Sequence, residues 1–314
     1  MKNIAFVYPG VGSQHTGMGK EFYTQYPVVR SVVDEASDFL GTNLYKRWQD
    51  QSYREKMNDL NFAQISLLTL SFASYQLLKE ETSLQPDFMI GHSLGEYSAL
   101  CCDGIIEFSD ALQLVQQRGK FIEEAASGQK GTMLWVIDLD TKIVEEVCKS
   151  LREQQVYVYI SSYDSSLQCG ISCLEKDIPI IAQTLEARDA IVYPLNLSGP
   201  FHSPLMMEAS EALGQVLDGY EFKTLNNNRV IANGTGLPYT NNVKEHLKSQ
   251  LISPVFWFQS LAYLEQQGVT TIVEIGPKEV LKYLVVKGGK PFQTFSFNKP
   301  EHVEELGALY VEEQ

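Results

Sequence analysis

The segment "FMIGHSLGEYSAL" spans residues 88–100 and contains a serine between two glycines. It joins an apolar run, typical of a buried parallel strand, to a segment with helical character. Between the two, Ser93 has Gly91 two residues before it and Gly95 two residues after it. This GxSxG spacing between a strand and a helix is typical of a sharp turn that exposes a nucleophilic serine. Glycine is needed on both sides because a Cβ there would collide with the turn.

Apolar runs alternate with helical patterns on both sides of this segment. Strands are predicted at 3–8, 87–91 and 270–276, and helices at 18–39, 62–79, 94–102 and 108–126. Strands separated by helices indicate an α/β fold with a layered, mostly parallel sheet.

The segment 127–197 follows a different order of elements. Strands are predicted at 132–137, 156–161, 167–173 and 190–195, and helices at 141–154 and 176–188. The order β-α-β-β-α-β is the ferredoxin-like pattern. We therefore predict that 127–197 is a subdomain inserted into a core formed by 1–126 and 198–314.

Composition excludes several classes of function. The 314 residues include 25 basic and 39 acidic side chains, a net charge of −14, which is unfavourable for binding nucleic acid or an anionic membrane. No apolar stretch reaches the roughly 18 residues of a membrane span. The N-terminal apolar run is broken by Pro9 and is too short for a signal peptide. The five cysteines form no CxxC pair and lack histidines at metal-ligand spacing, so we expect reduced thiols, no metal site and a cytoplasmic protein.

A serine hydroxyl needs a base to become a useful nucleophile. Of the five histidines, His202 lies in the Gly/Pro-rich loop "NLSGPFHSPLM" (196–206) after a predicted strand, where catalytic groups are often placed. We predict His202 as the base, with His15 as the alternative. His92 adjoins Ser93 on the same turn and is expected to point away from its hydroxyl. The glycine-bearing turn "YPGVGSQ" (8–14) follows a strand and is able to present backbone N–H groups to an oxyanion.

Several separate motifs, in order, resemble the malonyl-CoA:acyl-carrier-protein transacylase family, including the free-standing acyltransferases of polyketide assembly lines. The resemblance spans nearly the whole chain and implies an α/β-hydrolase-like core with a ferredoxin-like insert. The motifs are "YPGVGSQHTGMG" (8–19), Gln64 in "NFAQISLL", "GHSLGEYSAL" (91–100), "QQRGKFIEEA" (116–125), "GPFHSPLM" (199–206), "QLISPVFW" (250–257) and "EIGPKEVL" (274–281).

The resemblance implies ping-pong acyl transfer without a metal or cofactor. Ser93 would take the acyl group from coenzyme A and pass it to the phosphopantetheine thiol of an acyl carrier protein. His202 would act as base and acid, oriented by the backbone carbonyl of Gln250. The backbone N–H groups of Val11 and Leu94 would bind the oxyanion. The expected partners are malonyl-CoA and an acyl carrier protein, and the expected state is a monomer.

The resemblance also assigns the substrate-binding side chains. Arg118 would pair with the free carboxylate of a malonyl group, a bidentate fit that neutral acyl chains cannot use. From its helix "LVQQRGKF" alone, the same arginine would be assigned to the solvated surface. Phe201, before His202, resembles the residue of malonyl-selective members. Gln64 and His92 are the other two residues expected to bind the substrate.

Three positions depart from the family pattern. Val11 stands where glutamine is usual, Asp164 where asparagine is usual near the acyl pocket, and Ile65 where proline usually follows Gln64. A carboxylate at 164 would repel a malonyl carboxylate unless another group screens it.

These departures keep two other functions open. Some relatives in polyketide clusters hydrolyse stalled acyl chains from carrier proteins, so that water instead of a thiol resolves the acyl-serine. Arg118 favours malonyl transfer, whereas Val11 and Asp164 favour hydrolysis. A non-catalytic docking module for carrier proteins is a third hypothesis, which the presence of Ser93, His202 and Arg118 argues against.

Overall fold

The structure, a computed structural model, describes residues 3–128, 130–224 and 229–311. Its strands form two separate sheets. In chain order, the strands are β1 (Asn3–Tyr8), β2 (Phe88–Gly91), β3 (Gly131–Ile137), β4 (Val158–Tyr163), β5 (Gln168–Leu174), β6 (Ile191–Ser198), β7 (Val230–Ile231), β8 (Val269–Ile275) and β9 (Gln293–Phe297).

Helices cover the faces of both sheets. No helix within the described ranges is long and apolar enough to cross a membrane. In chain order, the helices are α1 (Lys20–Gln25), α2 (Pro27–Leu40), α3 (Leu44–Gln49), α4 (Leu60–Glu81), α5 (Gly95–Cys102), α6 (Phe108–Ser127), α7 (Thr141–Glu153), α8 (Ile178–Glu186), α9 (Met207–Leu217), α10 (Val243–Gln250), α11 (Trp257–Gln266), α12 (Val280–Lys287) and α13 (His302–Val311).

The first sheet is parallel throughout, with the strand order β7-β2-β1-β8-β9. Its central strand β1 is buried along nearly its whole length, as expected for a strand covered on both faces. Helix α4 is buried nearly all round its surface because it packs against both α2 and α6. This sheet and its helices form the α/β-hydrolase-like core.

The second sheet is antiparallel, with the strand order β4-β5-β3-β6. Together with α7 and α8, it forms a ferredoxin-like subdomain with an apolar core of its own. A parallel bridge between Ser162 and Val255 joins β4 to the segment that leads into α11 of the core. The fold class expected from the sequence is confirmed, while the boundaries at residues 127 and 197 stay a prediction.

The predicted strands at 3–8, 87–91 and 270–276 are confirmed as β1, β2 and β8. The prediction of one helix over 18–39 is wrong because the segment divides into α1 and α2 at Tyr26. Tyr26 is extended (φ −113°, ψ 120°), as the residue before a proline tends to be, and Pro27 begins the next helix. The short β7 and the edge strand β9 were not predicted.

The order of the parallel strands brings three loops together. The carboxyl ends of β7, β2 and β1 are neighbours, so the segments that follow them meet at one edge of the sheet. These segments carry Asn233, Ser93 and Val11, respectively. The fold therefore places the serine turn and the glycine-bearing turn side by side.

Candidate active site

Ser93 occupies the turn between β2 and α5 with a positive φ of 53°. A Cβ on Gly91 would overlap the backbone of Gly95 and Glu96, and a Cβ on Gly95 would overlap the carbonyl of Tyr8. Both glycines are therefore required by close backbone contacts, as the spacing predicts. The strained turn presents the hydroxyl of Ser93 above the sheet edge.

A histidine lies within hydrogen-bond distance of this hydroxyl. His202 Nε2 is 2.7 Å from Ser93 Oγ, and His202 Nδ1 is 2.9 Å from the backbone oxygen of Gln250. A carbonyl oxygen is only an acceptor, so Nδ1 carries the proton and Nε2 is free to accept one. The alternative base, His15, lies in a separate pocket beside α1.

The surroundings keep the imidazole of His202 neutral. Burial lowers the pKa of His202 to about 3, and the nearby positive charge of Arg118 acts in the same direction. A neutral ring is the form that can accept a proton from Ser93.

Arg118 is buried in the same site and is not a surface charge. Its side chain is 3% exposed, and its Nη2 lies 3.4 Å from Ser93 Oγ. The guanidinium donates to the side-chain oxygens of Gln64 and Gln250, and it lies over the ring of Tyr97. Burial lowers its pKa from the ordinary value, but an arginine stays protonated in such a site. Its hydrogen-bond acceptors in the described residues are thus neutral groups.

The side chain of Gln250 extends this network below the serine turn. Its Nε2 donates to the backbone oxygen of Ser93 at 2.9 Å and to Glu96 Oε2 at 2.5 Å. Sequence analysis assigned a role only to the backbone of Gln250. The side chain also links the serine turn to Arg118.

Glu96 and Asn233 are two further site residues that sequence analysis missed. Asn233 accepts a hydrogen bond from the backbone N–H of Ser93 (2.8 Å) and donates one to the carbonyl of Gly91 (2.6 Å). Its own N–H donates to Glu96 Oε1. One signal for Glu96 was available, because it is an acidic residue in the otherwise uncharged segment "GEYSALCC".

The backbone N–H groups of Val11 and Leu94 have no hydrogen-bond acceptor among the described residues. Val11 lines the cavity above Ser93, and Leu94 begins the turn into α5. Donors fixed in this way can bind an oxyanion without reorganisation.

These groups open into one cavity of about 410 Å³ between the core and the subdomain. Phe201 and His92 line it from the core, next to Ser93 and His202. The subdomain contributes mainly apolar side chains, including Met133, Trp135 and Leu195. Among the described residues, no cluster of three or more His, Cys, Asp or Glu side chains is placed to hold a metal ion.

Asp164 adds an acidic group to this cavity. It is 1% exposed, and neither carboxylate oxygen accepts a hydrogen bond from any described residue. His92 Nε2 lies 3.6 Å from Asp164 Oδ1, and the ring of His92 also packs against Trp257. The side chain of His92 thus points toward Asp164 within the cavity.

Comparison with known proteins shows which family the chain belongs to. The model of the acyl transferase domain matches residues 5–303. A malonyl CoA-acyl carrier protein transacylase of Bacillus subtilis is 38% identical over 307 residues, which cover 97% of this chain and 96% of the relative. The chain belongs to the malonyl-CoA:acyl-carrier-protein transacylase family.

Solved structures of this transacylase family share the fold. The crystal structure of a Streptococcus pneumoniae relative superposes with a TM-score of 0.90 at 31% identity, covering 98% of this chain and all of the other. A malonyl-transacylase in complex with its holo type II polyketide acyl-carrier protein superposes with a TM-score of 0.92 at 32% identity, covering 98% and 99% of the two chains.

The low pKa of His202 makes the reactivity of Ser93 in this transacylase insensitive to mild acid. Between pH 8 and pH 5, we expect the labelling rate with a fluorophosphonate to change less than about twofold, because the base stays neutral. If the base were a histidine with an ordinary pKa, the labelling rate would fall roughly thirtyfold from pH 8 to pH 5. The measurement is intact-protein mass spectrometry of labelling against time at each pH. His202→Ala, the control, should label slowly at every pH, and a thirtyfold loss in the unaltered protein would contradict the assignment.

Proposed function

We propose that this chain transfers a malonyl group from coenzyme A to the phosphopantetheine thiol of an acyl carrier protein. The observation that carries the proposal is the common cavity of Ser93, His202 and Arg118. The first two supply a nucleophile and its base, and the third supplies a buried cation for the free carboxylate of the acyl group.

In the first half-reaction, His202 Nε2 takes the proton of Ser93 as Oγ attacks the thioester carbonyl carbon. The carbonyl oxygen becomes an oxyanion, which the N–H groups of Val11 and Leu94 stabilise. When the intermediate collapses, the carbon–sulfur bond breaks. The coenzyme A sulfur leaves with the proton from His202, and malonyl-Ser93 remains.

In the second half-reaction, the carrier-protein thiol gives its proton to His202 Nε2 and its sulfur attacks the ester of malonyl-Ser93. The same backbone donors bind the new oxyanion. Ser93 Oγ then leaves and recovers the proton from His202. The imidazole is positively charged only within each half-reaction, and the carbonyl of Gln250 stabilises that charge through Nδ1.

Arg118 supplies the preference for malonyl groups. Its acceptors, Gln64 and Gln250, are neutral amides, so the buried guanidinium has no carboxylate hydrogen-bonded to it among the described residues. A malonyl carboxylate would supply the missing anion as a charge-assisted pair in a site sheltered from water. Gln64, His92 and Phe201 would shape the space for the acyl group.

The proposed reaction uses no metal or redox cofactor, because nucleophile, base and oxyanion donors all come from the chain. The names of the relatives favour transfer over hydrolysis, as does Arg118. The pathway is that of fatty acids or polyketides. The monomeric state and the cytoplasmic location stay predictions.

The fate of the acyl group tests the proposal. With labelled malonyl-CoA and holo carrier protein, we expect label on the carrier protein to accumulate well ahead of free malonate. Ser93→Ala, the control, should form neither product because it lacks the nucleophile. Release of malonate that the carrier protein does not suppress would instead identify an editing hydrolase.

We expect Asp164 to weaken malonyl binding. Its carboxylate lies in the cavity that would also hold the carboxylate of the malonyl group, and the two negative charges repel each other. Asp164→Asn should raise kcat/KM for malonyl-CoA several-fold, as expected for a repulsion of about 1 kcal/mol. It should leave kcat/KM for acetyl-CoA nearly unchanged. Asp189→Asn makes the same charge change at an exposed position and serves as the control. An equal change in kcat/KM for both thioesters would show that charge repulsion does not cause the effect of Asp164→Asn.

A further inference from the structure

The catalytic groups do not account for the buried carboxyl group of Glu96. It lies in the first turn of α5, directly beneath the serine turn, and is 1% exposed. Three donors point at it: the backbone N–H of Asn233 (2.9 Å), the hydroxyl of Tyr239 (2.5 Å) and Gln250 Nε2 (2.5 Å). Burying a carboxylate costs hydration free energy unless hydrogen bonds or a paired charge compensate for it.

Asn233 and Gln250 both contact the serine turn, and Gln250 also reaches Arg118 and His202. The amide nitrogen of Gln250 uses both of its protons, on Glu96 and on the backbone oxygen of Ser93. Its amide oxygen accepts from Arg118 Nη2 at 3.1 Å, and its backbone oxygen faces His202 Nδ1. This single residue therefore contacts the serine turn, the base and the cation.

Glu96 is one of three groups that orient the Gln250 amide, together with the backbone oxygen of Ser93 and the Arg118 guanidinium. An ionised carboxylate only accepts hydrogen bonds, so it requires the nitrogen of the amide to face it. The amide oxygen is then directed at Arg118, where an acceptor is needed. If the amide turned over, its nitrogen would face the guanidinium and two donors would oppose each other.

We propose that Glu96 is a positioning residue for acyl transfer: through the amide of Gln250, it holds the Arg118 guanidinium where it can receive the carboxylate of an acyl group. Glu96 itself does not line the cavity, and its hydrogen bonds to described residues do not include His202. This inference rests on the proposed function, since it concerns the choice between acyl groups with and without a carboxylate.

Within the described ranges, three charged or titratable side chains act on Glu96. Tyr239 lies after β7, Tyr97 follows Glu96 on α5, and Arg118 faces it from α6. Burial raises the pKa of Glu96 to about 7, while the three hydrogen bonds and Arg118 oppose the rise. Below that pH the protonated carboxyl becomes a donor and no longer requires the nitrogen of Gln250. Selectivity for malonyl groups should therefore decrease in mild acid.

Glu96→Gln tests the proposal with nearly the same side-chain shape. The new amide can still accept from Asn233 and Tyr239, but its nitrogen faces that of Gln250. At about pH 8.5, where Glu96 is ionised, we expect the ratio of kcat/KM for malonyl-CoA to that for acetyl-CoA to fall at least about tenfold. Tyr239→Phe, the matched control, removes one donor from the same carboxylate but leaves Gln250 in place. It should keep the ratio within about twofold.

A pH series of the unaltered protein needs no variant. Its malonyl-to-acetyl ratio should fall between about pH 8.5 and pH 6, whereas that of Glu96→Gln should stay constant. Equal losses for both thioesters in Glu96→Gln, or a constant ratio in the unaltered protein, would overturn the role of Glu96. An unaltered protein that does not use malonyl-CoA would instead refute the proposed function.

Discussion

The close packing of the serine turn against the end of β1 is the constraint on which the site depends. Gly95 lies against the carbonyl of Tyr8, and Gly91 lies against the first turn of α5. This packing leaves Ser93 with a positive φ and its hydroxyl exposed at the sheet edge. Because β1 and β7 flank β2, the Val11 turn and Asn233 are held beside the same turn. The parallel sheet thus determines where the nucleophile, the oxyanion donors and their support can be.

Electrostatics then sets the chemistry of the site. A buried guanidinium held by neutral amides keeps its charge available to a ligand. Burial, with the charge of Arg118 acting in the same direction, lowers the pKa of His202 and keeps the imidazole neutral. In the proposed reaction, one cation thus acts on both the base and the choice of substrate. Asp164 places an opposite charge on the subdomain side of the same cavity.

Much of the fold could be predicted from the sequence because its signals are local. The glycine spacing about Ser93 and the apolar runs of β1, β2 and β8 depend on neighbours in the chain. By contrast, β7 has only two residues, too few to form a pattern. Helix α6 gave Arg118 the pattern of a surface residue, and only resemblance to the family suggested otherwise. Burial of that arginine depends on Gln64 and Gln250, which are far away in sequence.

The contacts beneath the serine turn were not predictable for the same reason. The hydrogen bonds of Glu96 reach Asn233, Tyr239 and Gln250, more than 130 residues further along the chain. An acidic residue in a buried helix signals that partners exist but does not identify them. Only the folded arrangement shows that the amide of Gln250 joins Glu96 to Arg118.

The mass of the acyl-enzyme tests most directly whether Ser93 is acylated and whether Arg118 selects the malonyl group. The protein would be mixed separately with malonyl-CoA and acetyl-CoA, quenched at short times and weighed intact, alongside Arg118→Leu. We expect rapid formation of a malonyl adduct on the unaltered protein and slow formation of an acetyl adduct. In Arg118→Leu, the malonyl adduct should form at least about a hundredfold more slowly, since a buried charge pair is lost. Equal rates for both thioesters, or a malonyl adduct that forms as fast without Arg118, would contradict these expectations.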